Sequence, residues 1–189
     1  MHKLLATTIF AAALAIPVAA HAQMRSNVAQ PTEGTMFGLG AGLTLPLGNY
    51  STGDNLGFHA LGLVQMPLRH TPVHLRADVM FSTTSHKNGV SGSTRVIGAD
   101  VDALYHLGDR TASARPYILG GLGLFNGHVS FTGGSVSNTN IAMNLGGGVL
   151  FGLGKTTHAF AEARFMDIFT SGGSTTFIPI TFGLMFKGN

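Results

Sequence analysis

The chain has no cysteine and no tryptophan, and it is poor in charge. Lys, Arg, Asp and Glu make up 10% of its 189 residues, against about 25% in ordinary soluble domains. Without cysteine there can be no disulfide framework and no thiolate metal site. Basic residues outnumber acidic ones only slightly, for a net charge of +3, and they are scattered. The basic patch or stripe of a nucleic-acid binder is therefore missing. After Ala22 no apolar run reaches the roughly 18 residues that a transmembrane helix needs. If such a chain crosses a bilayer, a closed barrel is the only way left to satisfy its backbone.

What the chain does have is an export signal at its start. His2 and Lys3 give a short polar opening, Leu4 to Ala20 an apolar core, and Ala20-His21-Ala22 a small-x-small cleavage site. Residues 1–22 are thus predicted to be a signal peptide. Residues 23–36, polar and carrying Pro31, read as a short periplasmic lead-in. Residues 37–189 are the predicted outer-membrane barrel domain, with no room for a second domain. Glycine is 27 of 189 residues, about twice its usual share.

Apolar residues recur with period two, the signature of β-strands, because successive side chains leave opposite faces of the pleat. From Phe177 to Phe186, Ile178, Ile180, Phe182, Leu184 and Phe186 form one face. Seven earlier stretches read similarly: 37–45, 58–68, 73–83, 95–107, 116–126, 140–153 and 158–169. The faces of 58–68 are ambiguous. Eight strands of roughly 10 residues on an exported chain predict an all-β fold: an eight-stranded antiparallel, up-and-down transmembrane barrel. The predicted connectors are mostly long on the outer side (47–57, 85–94, 127–139 and 170–174) and mostly short on the inner side (69–72, 108–114 and 154–157). That asymmetry puts both termini in the periplasm.

Several motifs carry a family resemblance. Arg115-Pro-Tyr-Ile-Leu-Gly-Gly-Leu-Gly-Leu resembles the Pro-Tyr-x-x-Gly-Gly-x-Gly fifth strand of OmpA/OmpX-like outer-membrane β-barrel domains. Asn144-Leu-Gly-Gly-Gly-Val resembles their sixth strand and Phe160-Ala-Glu-Ala-Arg-Phe their Phe-x-Glu-x-Arg-Tyr seventh. Pro179-Ile-Thr-Phe-Gly-Leu-Met-Phe resembles their last. The resemblance covers the predicted mature chain and implies architecture more than activity. The chain departs from the pattern by ending Lys187-Gly188-Asn189 instead of on an aromatic residue. Any aromatic girdle must be built from Phe and Tyr.

Arg76, Asp78, Asp100, Asp102, Glu162 and Arg164 all lie opposite the apolar face of their strands. They are therefore predicted to point into the lumen, which in an eight-stranded barrel is just wide enough to be filled by side chains. Buried charges must be paired. The expectation is a structural network of the four acids with the two arginines, helped by His74 and His106; the alternative is a narrow, gated ion path. No metal site is expected, since His70 and His74, four residues apart, are separated by a turn at Pro72. The glycine-rich stretches lack the Gly-Lys-Ser/Thr and following helix of a phosphate loop.

One triplet looks catalytic. His128-Val129-Ser130 puts a His and a Ser on one face, and a lipid-facing His-x-Ser resembles the active site of outer-membrane lipid A deacylases. There a carboxylate orients the His, which activates the Ser. Here no acid lies between Asp109 and Glu162. Asp167 faces outward and is expected near the membrane level of His128, but two strand spacings away. No catalytic residue and no cofactor are therefore assigned.

The expected protein is a monomeric outer-membrane barrel with a structural, adhesive or surface-interaction role. Its partners would be outer-membrane lipid and lipopolysaccharide, with the barrel-assembly machinery acting during insertion, and no nucleic acid. The competing readings are a lipid A-modifying enzyme, a narrow pore, and a soluble exported β-sandwich or lipocalin-like binder.

Overall fold

A computed structural model describes residues 34–87, 91–109 and 112–188. The predicted signal peptide and nearly all of the lead-in lie outside the described residues. Eight strands follow in order: β1 (Met36–Leu47), β2 (Gly57–Pro67), β3 (Val73–Ser85), β4 (Gly92–His106), β5 (Ala114–Phe131), β6 (Gly134–Gly152), β7 (Thr157–Thr170) and β8 (Gly173–Lys187). Each pairs antiparallel with its neighbour in sequence, and β1 closes on β8 to form an up-and-down barrel. Closure leaves no sheet edge unpaired, which is what a β-structure in lipid requires. No described helix is long and apolar enough to cross a membrane.

The period-two pattern becomes an inside and an outside. On β3, His74, Arg76, Asp78, Met80 and Ser82 are buried, while Val79 and Phe81 are exposed. On β8, Phe177, Thr181 and Met185 are buried, and Phe182, Leu184 and Phe186 are exposed. Strand β2 resolves the same way: His59, Leu61, Leu63 and Gln65 point in, Phe58 and Met66 point out. Its faces are hard to read because each carries large apolar residues.

Two connections differ from expectation. The stretch 127–139, expected as a long outer loop, is instead the tip of a paired hairpin. Strands β5 and β6 run 18 and 19 residues and are joined only through Thr132 and Gly133. Pairing persists because Gly, Ser, Thr and Asn can give main-chain hydrogen bonds as well as apolar residues can. Val129 sits opposite Val136, Ser130 opposite both Ser93 and Ser135, and Gly133 takes the left-handed φ of 104° that the tight turn needs. The barrel is therefore uneven in height through its strands more than through its loops. From Phe131 to Thr139 both faces of this hairpin are exposed.

The second difference is a six-residue helix, α1 (Gly48–Gly53), inside the stretch expected as loop 47–57. Tertiary contacts hold it. Tyr50 packs edge-on against Phe177 with ring centroids 6.2 Å apart, and its Oη shares a 2.9 Å hydrogen bond with Thr84 Oγ1. Thr84 in turn donates to Asp54 Oδ1 at 2.6 Å. Burial pushes the Tyr50 phenol up to about 12, the Thr84 hydrogen bond pulls it down, and nearby Asp54 raises it, so this plug at the barrel rim is neutral.

Pro179 lies within β8, an unusual place because proline has no N–H for the ladder. The β7–β8 pairing lapses opposite it, between Ala163/Ile180 and Met166/Phe177.

Candidate functional site

The lumen is filled in layers. Towards the α1 end, Thr44 Oγ1 lies 2.9 Å from Ser82 Oγ and 3.2 Å from His59 Nδ1, and His59 Nε2 lies 2.8 Å from Thr181 Oγ1. At the other end Leu104, Leu119, Leu150 and Met185 are buried together. Between these layers stand the six charged residues singled out in the sequence.

The six converge because three strands aim them at one level of a narrow tube. Strand β3 supplies Arg76 and Asp78, β4 Asp100 and Asp102, and β7 Glu162 and Arg164. Arg76 is 1% exposed and Asp102 0%. Arg76 Nε donates to Asp78 Oδ1 at 2.8 Å along its own strand, and its Nη1 donates across the lumen to Glu162 Oε2 at 2.7 Å. The Arg164 side chain is the hub. Its Nε donates to Glu162 Oε1 at 2.6 Å, and its Nη1 donates to Asp102 Oδ2 at 2.9 Å and Asp100 Oδ1 at 3.3 Å. Its Nη2 donates to Asp78 Oδ2. Arg76 also stacks on Phe160, 5.6 Å from the ring centroid.

Acids outnumber arginines here, and two neutral donors satisfy the surplus acceptors. Tyr117 Oη donates to Glu162 Oε2 at 2.7 Å, and Asn144 Nδ2 donates to Asp102 Oδ1 at 2.8 Å. Neither residue is among those picked out from the sequence, although both share the inward parity of β5 and β6. His74 and His106, expected to help the acids, stack edge to face on each other at 4.9 Å. The His106 ring lies 5.7 Å from Tyr117 and its Nε2 lies 3.3 Å from Gln65 Nε2.

Glycine makes room for this layer. Gly148 and Gly123 face inward, and a Cβ on Gly148 would fall 2.6 Å from Tyr117 Oη, one on Gly123 2.7 Å from Asp100 Cβ. Those are overlaps that rigid strands cannot relieve cheaply.

The carboxylates of Asp78, Asp100 and Asp102 bring one oxygen each within 4.8 Å of one another, a spacing that can hold a cation. In this lumen the cation among them is the Arg164 guanidinium, which bonds all three.

The catalytic-looking pair is elsewhere. His128 and Ser130 share the outward parity of β5, opposite buried Phe125. Ser130 Oγ donates to the Ser93 carbonyl at 3.1 Å and lies 3.3 Å from Ser93 Oγ. Asp167, expected level with His128, is not. It pairs with Met143, and Met143 with Leu122, six residues down β5 from His128. That is about 20 Å along the strand. The misplacement follows from β5 and β6 rising so much higher than β7. Asp167 instead accepts from Thr176 Oγ1 at 2.9 Å.

Comparison with known proteins bears on the whole chain. Residues 8–187 match the family described as outer membrane protein beta-barrel domain. The search of curated proteins gives no match. Among solved structures, Neisserial surface protein A is similar at a TM-score of 0.67 and 17% identity, over 84% of this chain and 100% of that one. The N-terminal barrel of Pseudomonas aeruginosa OprF gives 0.50 and 16%, over 83% and 100%. The attachment invasion locus protein of Yersinia pestis gives 0.54 and 12%, over 82% and 100%. At these identities the likeness is one of fold.

Proposed function

The chain belongs to the outer membrane protein beta-barrel domain family, and from that premise we propose that it is a surface-interaction protein of the outer membrane, adhesive or structural in role, with a plugged lumen. The observation that carries this reading is the β5–β6 hairpin. On its β6 side it rises past β7, whose pairing with β6 stops at Ala142 while β4 accompanies β5 to Phe131, and it offers both faces from Phe131 to Thr139 to solvent. A protein whose work was inside the barrel would gain nothing from such a projection. The Yersinia pestis neighbour is named for attachment and invasion, and work of that class is proposed here.

The termini are periplasmic in this reading, after removal of residues 1–22, so α1 and the hairpin tip face the exterior. The six-charge network is structural: each arginine ties strands together across the lumen, which opposes conduction. The chain acts as a monomer, without a cofactor and without catalysis. It is surrounded by outer-membrane lipid and lipopolysaccharide after insertion by the barrel-assembly machinery.

The test is protease accessibility and binding on whole cells. Intact cells should allow cleavage at a site engineered between Thr132 and Gly133, and shortening the hairpin by residues 130–135 should reduce cell attachment while the barrel still shows heat-dependent gel migration. A tip cleaved only after the outer membrane is opened would overturn the orientation. Unchanged attachment would overturn the role.

A further inference from the structure

The outer wall carries an unbalanced cation above a groove. Arg95 on β4 and His128 on β5 are directly opposite each other and both face outward. Among the described residues neither has an acid partner. Of the eight acids, four are locked in the lumen, Asp54 is hydrogen-bonded to Thr84, Asp109 is at the opposite end of β4, Asp167 is on β7 and Glu33 lies outside the described residues. Asn126, Ser130 and Ser137 surround this pair with further polar groups on the same outward face.

Directly below, the wall turns apolar. On β4 the outward residues from Ile97 to Tyr105 are Ile, Ala, Val, Ala and Tyr, a nine-residue stretch. That is the length a tilted strand uses to cross a bilayer. Arg95 and His128 therefore stand in the first polar row above the hydrocarbon. Within the apolar belt is a shallow groove of about 790 Å³. Its floor is made of small residues on three adjacent strands, Gly62, Ala77 and Ala99, and its walls include Val79, Leu122 and Leu124. Val79 and Leu124 are each 60% exposed, so they stand up from the floor. Ala99 is four residues below Arg95, about 13 Å along the strand. One leaflet supplies about 15 Å of hydrocarbon, half of a core roughly 30 Å thick.

We propose that this face is a binding site for one phosphate-bearing anionic lipid, its headgroup on Arg95 and His128 and an acyl chain in the Gly62–Ala77–Ala99 groove. A guanidinium matches phosphate geometry and is always charged. Ser130 and Ser137 already donate to the Ser93 carbonyl and Asn126 Oδ1, and the Asn126 amide, which gives one N–H to Thr139 Oγ1, has a second to add as a neutral donor. The small-residue floor lets a chain lie close to the wall between Val79, Leu122 and Leu124, which adds van der Waals contact where the hydrophobic effect offers no advantage over bulk lipid. The inference rests on the outer-membrane reading above and specifies which wall takes the lipid.

Native mass spectrometry of the detergent-released full chain tests it, with dilauroyl phosphatidylglycerol as probe and dilauroyl phosphatidylcholine as the neutral comparison. Wild type should retain one phosphatidylglycerol in preference to phosphatidylcholine. Arg95→Gln should lower that retention about tenfold, as loss of one charge-assisted hydrogen bond does. Ala99→Phe, which fills the groove, should lower it too. Ala161→Phe, outward on β7 across the barrel, should not. Arg95→Lys keeps the charge and should retain part of the preference. Equal retention of both lipids by wild type, wild-type retention in Arg95→Gln, or equal effects of Ala99→Phe and Ala161→Phe would each overturn the site. Heat-dependent gel migration is read on every sample. Its absence in wild type would overturn the membrane-barrel reading itself, whereas normal migration without lipid preference overturns only this inference.

Discussion

Arg164 on β7 reaches across the lumen to Asp102 on β4, Nη1 to Oδ2 at 2.9 Å, while its Nε holds Glu162 on its own strand at 2.6 Å. One guanidinium thus fixes the distance between opposite walls. With Asp78 on β3 also bonded to it, three strands that are not all neighbours are tied at one level. Such a hub is expensive to remove, because the carboxylates it serves remain buried. Arg164→Ala should cost about 3–5 kcal/mol. Lys155→Ala, at an exposed turn, should cost less than about 0.5 kcal/mol. Urea unfolding of folded barrels in detergent, followed by gel migration, compares the two. Small and equal losses would mean that the lumen is wet and its charges solvated.

The outer wall gives a second expectation. Leu145 is exposed on β6 within the apolar belt. An arginine at the midplane of the lipid face costs about 2–4 kcal/mol, so Leu145→Arg should assemble poorly or unfold at lower urea. Ser91→Arg, in the exposed β3–β4 connection, should behave as wild type. Normal assembly of Leu145→Arg would show that this face of β6 does not meet lipid.

Packing inside the tube gives a third. Gly148→Ala would place a methyl 2.4 Å from the Ala161 carbonyl oxygen on the adjacent strand and 2.6 Å from Tyr117 Oη, and Tyr117 cannot swing away without releasing Glu162. Overpacking of this kind costs about 1–3 kcal/mol. Gly154→Ala, in a turn with open space around it, is the control. Because the Ala161 carbonyl oxygen and Tyr117 Cζ are also within 2.7 Å, Tyr117→Phe should leave most of the penalty at Gly148 in place; its disappearance would show that the hydroxyl alone is the clash.

The parity of single strands was legible because period two leaves no ambiguity when one face is apolar and the other charged, as on β3 and β7. It failed on β2, where Leu61 and Leu63 point in while Phe58 and Met66 point out. The β5–β6 tip was unreadable for a different reason. Its strands are held by main-chain pairing, β5 to β4 and β6 and the upper part of β6 to β5 alone, which leaves no mark on side-chain hydropathy, and polar Ser, Thr, Asn and Gly read as loop. Helix α1 has no helical pattern at all; Tyr50 packing on Phe177 creates it. For the lumen, parity set six charges on one side of their strands. Which of them meet depends on β3 and β7 facing each other across the tube, and Tyr117 and Asn144 enter only once the gaps between acids and arginines have a known shape.

The last expectation concerns the outward His128 and Ser130. A hydrolase of acyl chains needs a serine, a histidine within hydrogen-bond reach of about 3 Å, and a carboxylate to orient that histidine. Ser130 has the outward position but gives its hydrogen bond to the Ser93 carbonyl, and the outward carboxylate Asp167 is hydrogen-bonded to Thr176 six residues below the level of His128. The residue opposite His128 on β4 is Arg95, a cation where an acid would be needed. Purified protein, and cells that carry it, should therefore leave the acyl chains of lipid A intact when the lipid is analysed by mass spectrometry. A missing acyl chain that returns in Ser130→Ala would establish an enzyme and require the Arg95–His128 pair to open in lipid.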